Sequence, residues 1–107
     1  VRALLRATPL ISLSALVAKR GPMCEWCNAE KAVHRHHCLV HGMKGHPELD
    51  DERNLMLVGR KCHTDKGLVN NYFVRMRFWS MQCKRYGVES MRDWYSKVNL
   101  KIKENFE

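Results

Sequence analysis

Cys24-Glu25-Trp26-Cys27 is a C-x-x-C, a gap that lets two thiolates reach one zinc ion from a tight turn. A closed structural zinc site needs four ligands. Cys62 offers a third, but Gly59 stands three residues before it, where a cysteine would complete a second pair. Cys38 or His34 could take the fourth place. A redox C-x-x-C is the rival reading, although no strand–helix thioredoxin pattern surrounds this one.

The histidines form a second constellation. His34-Arg35-His36-His37-Cys38-Leu39-Val40 alternates like a strand. Seventeen residues after His37 comes Asn54, opening the apolar run Leu55 to Val58, and then Cys62-His63 at a helix start. A single histidine is usually a polar residue with a local partner, but this conjunction points to a site. A neutral imidazole is a metal ligand and, near pH 7, a good proton acceptor. Adjacent strand residues face opposite sides. His36 and His37 can therefore have different roles where the strand twists or ends, which Gly42 and Gly45 permit. His41 and His46 read as solvated loop residues, with phosphate or metal contact as the alternative. Glu48, Asp50, Asp51 and Glu52 read as a solvated acidic run, an extra metal site being the alternative.

Taken together, Cys24-x-x-Cys27, His36-His37, Asn54-Leu55 and Cys62-His63 resemble the HNH endonucleases with the ββα-metal fold, most of all the small proteins encoded by phages and prophages. The matching stretch is residues 24–66, under half the chain. The resemblance implies two strands carrying the His-His and Asn elements and a helix beginning near His63. It implies that His37 is the general base, that Asn54 orients it, and that His36 and His63 hold a catalytic divalent ion such as Mg2+ or Mn2+. Gly59 departs from the zinc-bearing members, which have cysteine there, so a structural Zn2+ on Cys24, Cys27 and Cys62 lacks one ligand. An auxiliary position on the helix after His63 has only Asp65 and Lys66 as nearby polar candidates. DNA is the implied partner, with Lys44, Arg60, Lys61 and Lys66 around the motif as phosphate contacts. The alternative is a zinc-containing DNA-binding module that cuts nothing, or an interaction protein whose histidines bind zinc structurally.

The elements that must position these residues suit one α+β domain over residues 1–107, with a small ββα-metal core and flanking helices. The chain can bury one modest core. Residues 9–20 read as an N-terminal amphipathic helix, capped by Thr8-Pro9 and stopped at Gly21-Pro22, with Leu10, Leu13, Leu16 and Val17 on one face. A targeting peptide is the rival reading of residues 1–18. Glycines break up the Cys/His-rich centre, which suits short strands and turns. Residues 69–86 read as a helix ended by Gly87, with Val69, Tyr72, Phe73, Met76, Trp79, Cys83 and Tyr86 as its buried stripe. Its aromatics read as core in preference to base-stacking groups, and Cys83 as an inert buried thiol. Residues 89–98 read as another helix, with Met91, Trp94, Tyr95 and Val98 apolar; the tail Leu100, Ile102, Phe106 is ambiguous.

Lys and Arg number 19 against 11 acids, a formal charge of +8 that favours a polyanionic partner. Five cysteines, an odd number unevenly spaced, argue against a secreted disulfide scaffold and for a reducing, cytoplasmic setting. No stretch reaches the roughly 20 apolar residues of a membrane span.

Overall fold

A computed structural model of the chain describes residues 10–40, 47–64 and 69–106, with side chains for 10–40, 48–64 and 69–100. Helix α1 (Leu13–Arg20) starts later than the sequence suggests. Ser12 is extended and caps it, its hydroxyl oxygen accepting the Ala15 N–H at 3.1 Å. Thr8-Pro9 lies outside the described residues. Gly21 ends the helix as expected, at φ 101°, a conformation that favours glycine. Leu16 is fully buried, Leu13 and Val17 pack beside it, and Leu10 stays exposed.

Strand β1 (His34–His37) pairs antiparallel with β2 (Leu55–Val58), His34 opposite Val58 and His37 opposite Leu55. All four residues of β2 are buried, because both faces of this hairpin are covered. Leu55 and Leu57 face Leu16 of α1; Met56 and Val58 face Cys24, Cys62, Val69, Val74 and Phe78. Helix α2 (Arg60–Thr64) follows β2 after one residue and packs on β1. Two 3-10 turns, Pro47–Asp50 and Glu52–Asn54, lead into β2.

Asn54 is fully buried and holds the connection between the strands. Its Oδ1 accepts the N–H groups of Leu39 and Val40, both at 2.9 Å. Its Nδ2 donates to the carbonyls of Val40 and Leu49 at 2.9 and 2.8 Å. All its hydrogen-bonding capacity is thus spent on the backbone, and none goes to the His37 ring expected to depend on it. Asn54→Ala leaves four backbone groups, part-buried or buried, without these partners and is expected to cost about 3 kcal/mol in urea unfolding. A loss below about 0.5 kcal/mol, the range of an ordinary surface change, would refute that role.

Helix α3 (Tyr72–Tyr86) is capped by Asn71, whose Oδ1 accepts the Val74 N–H, and stops at Gly87 as expected. Its buried face is not the predicted stripe. Val74, Phe78 and Gln82 face the core, while Tyr72, Phe73 and Met76 are 70, 61 and 52% exposed. Two surfaces claim this helix. Val74 and Phe78 meet the sheet core, and Trp79, Cys83 and Tyr86 meet the next helix, so Cys83 is only half-buried. That helix, α4 (Val88–Phe106), runs past residue 98 through the whole ambiguous tail. Its Met91, Trp94 and Val98 are buried with Leu49, while Tyr95 is exposed. The architecture is α+β, a two-stranded sheet among helices. Among the described residues no helix is long and apolar enough to cross a membrane.

Candidate functional site

The C-x-x-C sits in a short knuckle between an isolated bridge, Met23 to Lys31. The Cys24 N–H donates to the Glu30 carbonyl at 2.8 Å, and the Asn28 N–H returns to the Cys24 carbonyl at 3.0 Å. Asn28 takes φ 54°, a left-handed conformation that asparagine tolerates. This turn points backbone donors at sulfur: the Cys27 N–H reaches Cys24 Sγ at 3.5 Å, and the Ala29 N–H reaches Cys27 Sγ at 3.4 Å.

Glu25 anchors the knuckle from below. Its carboxylate is almost fully buried, pairs with Arg20 at 3.0 Å and with Arg85, and accepts the Leu57 N–H at 2.7 Å. Arg20 in turn donates to the Glu52 carbonyl and the Tyr86 hydroxyl. Breaking a buried pair of this kind is costly, since it strands a charge, so α1, the knuckle and β2 are held in register.

Cys62, from α2, completes a group of three ligand sulfurs within 4.8 Å of one another. Cys24 and Cys62 are buried and Cys27 is exposed. Burial opposes ionisation of Cys24, but the N–H groups of Cys27, Gly59 and Trp26 outweigh it and lower its thiol. Burial, and then the neighbouring sulfurs of Cys24 and Cys27, push the Cys62 thiol up to about 12. Three sulfurs this close cannot all ionise unless a cation joins them, and such a donor set fits a metal such as zinc. Neither fourth ligand expected from the sequence joins them. Cys38 is fully buried in apolar surroundings, which push its thiol up to about 12. His34 lies elsewhere.

Alternation along β1 puts His34 and His36 on the face toward α2, and Arg35 and His37 on the face toward α1. The ring stacked on His63, at 3.8 Å between centroids, is that of His34. His36 turns its Nε2 to the Val69 carbonyl at 3.2 Å. His34 and His63 thus stack between strand and helix, and His36 shares their side of β1, but among the described residues only the three cysteines bring three or more ligand atoms within 4.8 Å of one another. Desolvation, then the charges of His63 and Arg60, hold His34 below the usual histidine value. The i, i+2 spacing of His34 and His36 was the available signal for including His34.

His37 closes β1, and its Nε2 lies 2.8 Å from Asp50 Oδ1. Both side chains remain open to solvent, 36% and 40% exposed. Among the described residues Nδ1 has no hydrogen-bond partner. The acidic run is therefore not simply solvated. Asp50 holds His37, Asp51 pairs with Arg53 at 2.8 Å, and Glu52 accepts from Lys19 and from the Tyr86 hydroxyl at 2.6 Å. Burial would raise the Asp51 and Glu52 carboxyls, yet Arg53 for one, and Tyr86 with Lys19 for the other, keep both below the ordinary range.

Arg60 and Lys61 are exposed at the start of α2. Lys44, Lys66, His41, His46 and Asp65 lie outside the described residues. Comparison with protein-family models, with characterised proteins and with solved structures found no match to this chain.

Proposed function

We propose that the chain is a metal-dependent DNA endonuclease of the HNH type, its two strands and α2 forming a ββα-metal core. The observation that carries this reading is the His37–Asp50 pair at the end of β1, a strand whose other face carries His36 and the His34 ring stacked on His63 of α2. With Nε2 engaged by Asp50, Nδ1 of His37 is the atom left to take a proton from an attacking water. The Asp50 carboxylate stabilises the imidazolium that results. His36 and His63 would hold a divalent ion, with His34 as a further imidazole beside them; nitrogen donors suit Mn2+, Zn2+ and related ions. The ion would supply Lewis-acid relief of charge on the scissile phosphate. Arg60 and Lys61 contact backbone phosphates, and Asn54 serves by fixing the loop that presents Asp50.

Cleavage of supercoiled plasmid with added Mg2+ or Mn2+, with and without EDTA, tests this reading. Metal-dependent nicking or linearisation is the expected result. Binding without cleavage would favour the DNA-binding module instead. The charge of +8 further implies steep salt dependence of that binding. Log affinity should fall with log salt at roughly 0.9 per phosphate neutralised, and Arg60→Ala or Lys61→Ala should each lower the slope by about one. A flat response in a salt titration of duplex binding would assign the charge to solubility.

A further inference from the structure

We propose that Glu30 is the fourth ligand of the cysteine metal centre, its carboxylate standing in for the side chain that Gly59 lacks. Cys24 and Cys27 ligate across a two-residue gap, and the same gap before Cys62 ends at Gly59. Gly59 lies against the site, since its N–H is one of the donors on Cys24 Sγ. A Cβ built on Gly59 would stand 2.2 Å from Glu30 Cγ, 2.3 Å from Cδ and 2.7 Å from Oε2. A side chain at 59 could enter that space only if Glu30 moved aside. A cysteine there would put its sulfur one bond beyond that Cβ, so the Glu30 side chain fills the space that a ligand side chain at position 59 would enter. The loss of a side chain at 59 and the insertion of Glu30 are one arrangement.

The chain path brings Glu30 there. Its carbonyl accepts the Cys24 N–H, which closes the knuckle and directs its side chain over the start of α2. There both carboxylate oxygens meet the Lys61 N–H, at 3.3 and 3.2 Å. They are outside the 4.8 Å group formed by the three sulfurs. Ligation requires the carboxylate to leave the Lys61 N–H and turn toward those sulfurs when a cation is present. Carboxylate oxygen is an accepted zinc donor beside thiolates, and four ligands close a structural site. The centre is then Cys3Glu, and it needs neither Cys38 nor His34. This inference rests on the metal reading of the three cysteines and is independent of nuclease activity.

Glu30→Gln separates ligation from simple capping of α2, because the amide oxygen still accepts the Lys61 N–H but is a poor zinc donor. Zinc affinity by chelator competition and the absorption spectrum of the Co2+ form are the readouts. Glu30→Gln is expected to weaken zinc at least about 10- to 100-fold and to shift the cobalt ligand-field bands. A double variant, Glu30→Ala with Gly59→Cys, should bind zinc at least as tightly as the parent, with the stronger sulfur-to-cobalt absorption of four thiolates. If Glu30→Gln keeps the parent's affinity and spectrum, Glu30 is only a cap and the proposal fails. A parent that takes up neither zinc nor cobalt overturns the metal reading and the proposal together.

Discussion

His37→Ala is expected to slow plasmid cleavage by about 100- to 10,000-fold, the range typical of losing a general base, while the unfolding transition stays near that of the parent. The two halves of that expectation come from one geometry. His37 is more than a third exposed and makes one side-chain hydrogen bond, to a residue equally open to solvent. Its removal therefore leaves no buried group stranded. Yet its ring is paired with a carboxylate, that of Asp50. Asp50→Asn should give a smaller loss, because the ring keeps a hydrogen-bonding neighbour but loses the charge that favours its protonated form. His36→Ala and His63→Ala should instead regain part of their activity at high Mn2+ or Mg2+, since excess ion offsets a weakened site. Excess ion supplies no proton acceptor, so His37→Ala should stay inactive in the same titration. Rescue of His37→Ala alone would mean that base and ligand have been exchanged. Full activity in all three would end the nuclease reading.

What the sequence made legible was short-range. The knuckle, the strand of histidines, the apolar β2 run and the glycine that ends α3 each depend on neighbours within a few residues, where spacing and turn chemistry suffice. The buried face of α3 was not legible. Its apolar residues exceed one stripe, and which of them are covered depends on where the hairpin and α4 dock. A helix contacted on two sides buries Val74 and Phe78 on one and leaves Tyr72 and Phe73 outside.

The site shows the same division. Asn54 was singled out for chemistry, but its partners are backbone groups at positions 39, 40 and 49, brought together only by the closed loop. Asp50 lies thirteen residues from His37 and belonged to an acidic run with no periodicity to separate its members. Glu30 carries no motif at all; only its side chain filling the Cβ position of Gly59 draws attention to it.

If the three cysteines hold a metal as proposed, its removal should produce the largest change in stability. The cysteines join the knuckle at residues 24–27 to α2, with β2 leading into that helix. Neither the knuckle nor a five-residue helix holds its shape alone, since helices this short are unstable in isolation. Binding energies of structural zinc reach about 10–16 kcal/mol in small peptides that fold only with metal. Here the apolar core on both faces of the hairpin supports part of the fold, so a loss nearer 5 kcal/mol is expected. At this chain length that is a fall in Tm of about 20 °C or more. Thermal unfolding of the zinc-loaded parent, with and without a strong chelator, should show the fall. Cys24→Ser should start from the lower Tm and not respond to chelator. The sign of the pH effect follows from the thiols. Metal must displace the proton from Cys62, whose thiol burial and the neighbouring sulfurs push up to about 12, so the zinc contribution is lost as pH falls. The chelator-induced drop in Tm should thus be smaller at pH 5.5 than at pH 7.5. A parent that purifies without zinc, and whose Tm ignores both zinc and chelator, would leave the three sulfurs as packed thiols and the knuckle held by its backbone bonds and by Glu25 with Arg20 and Arg85.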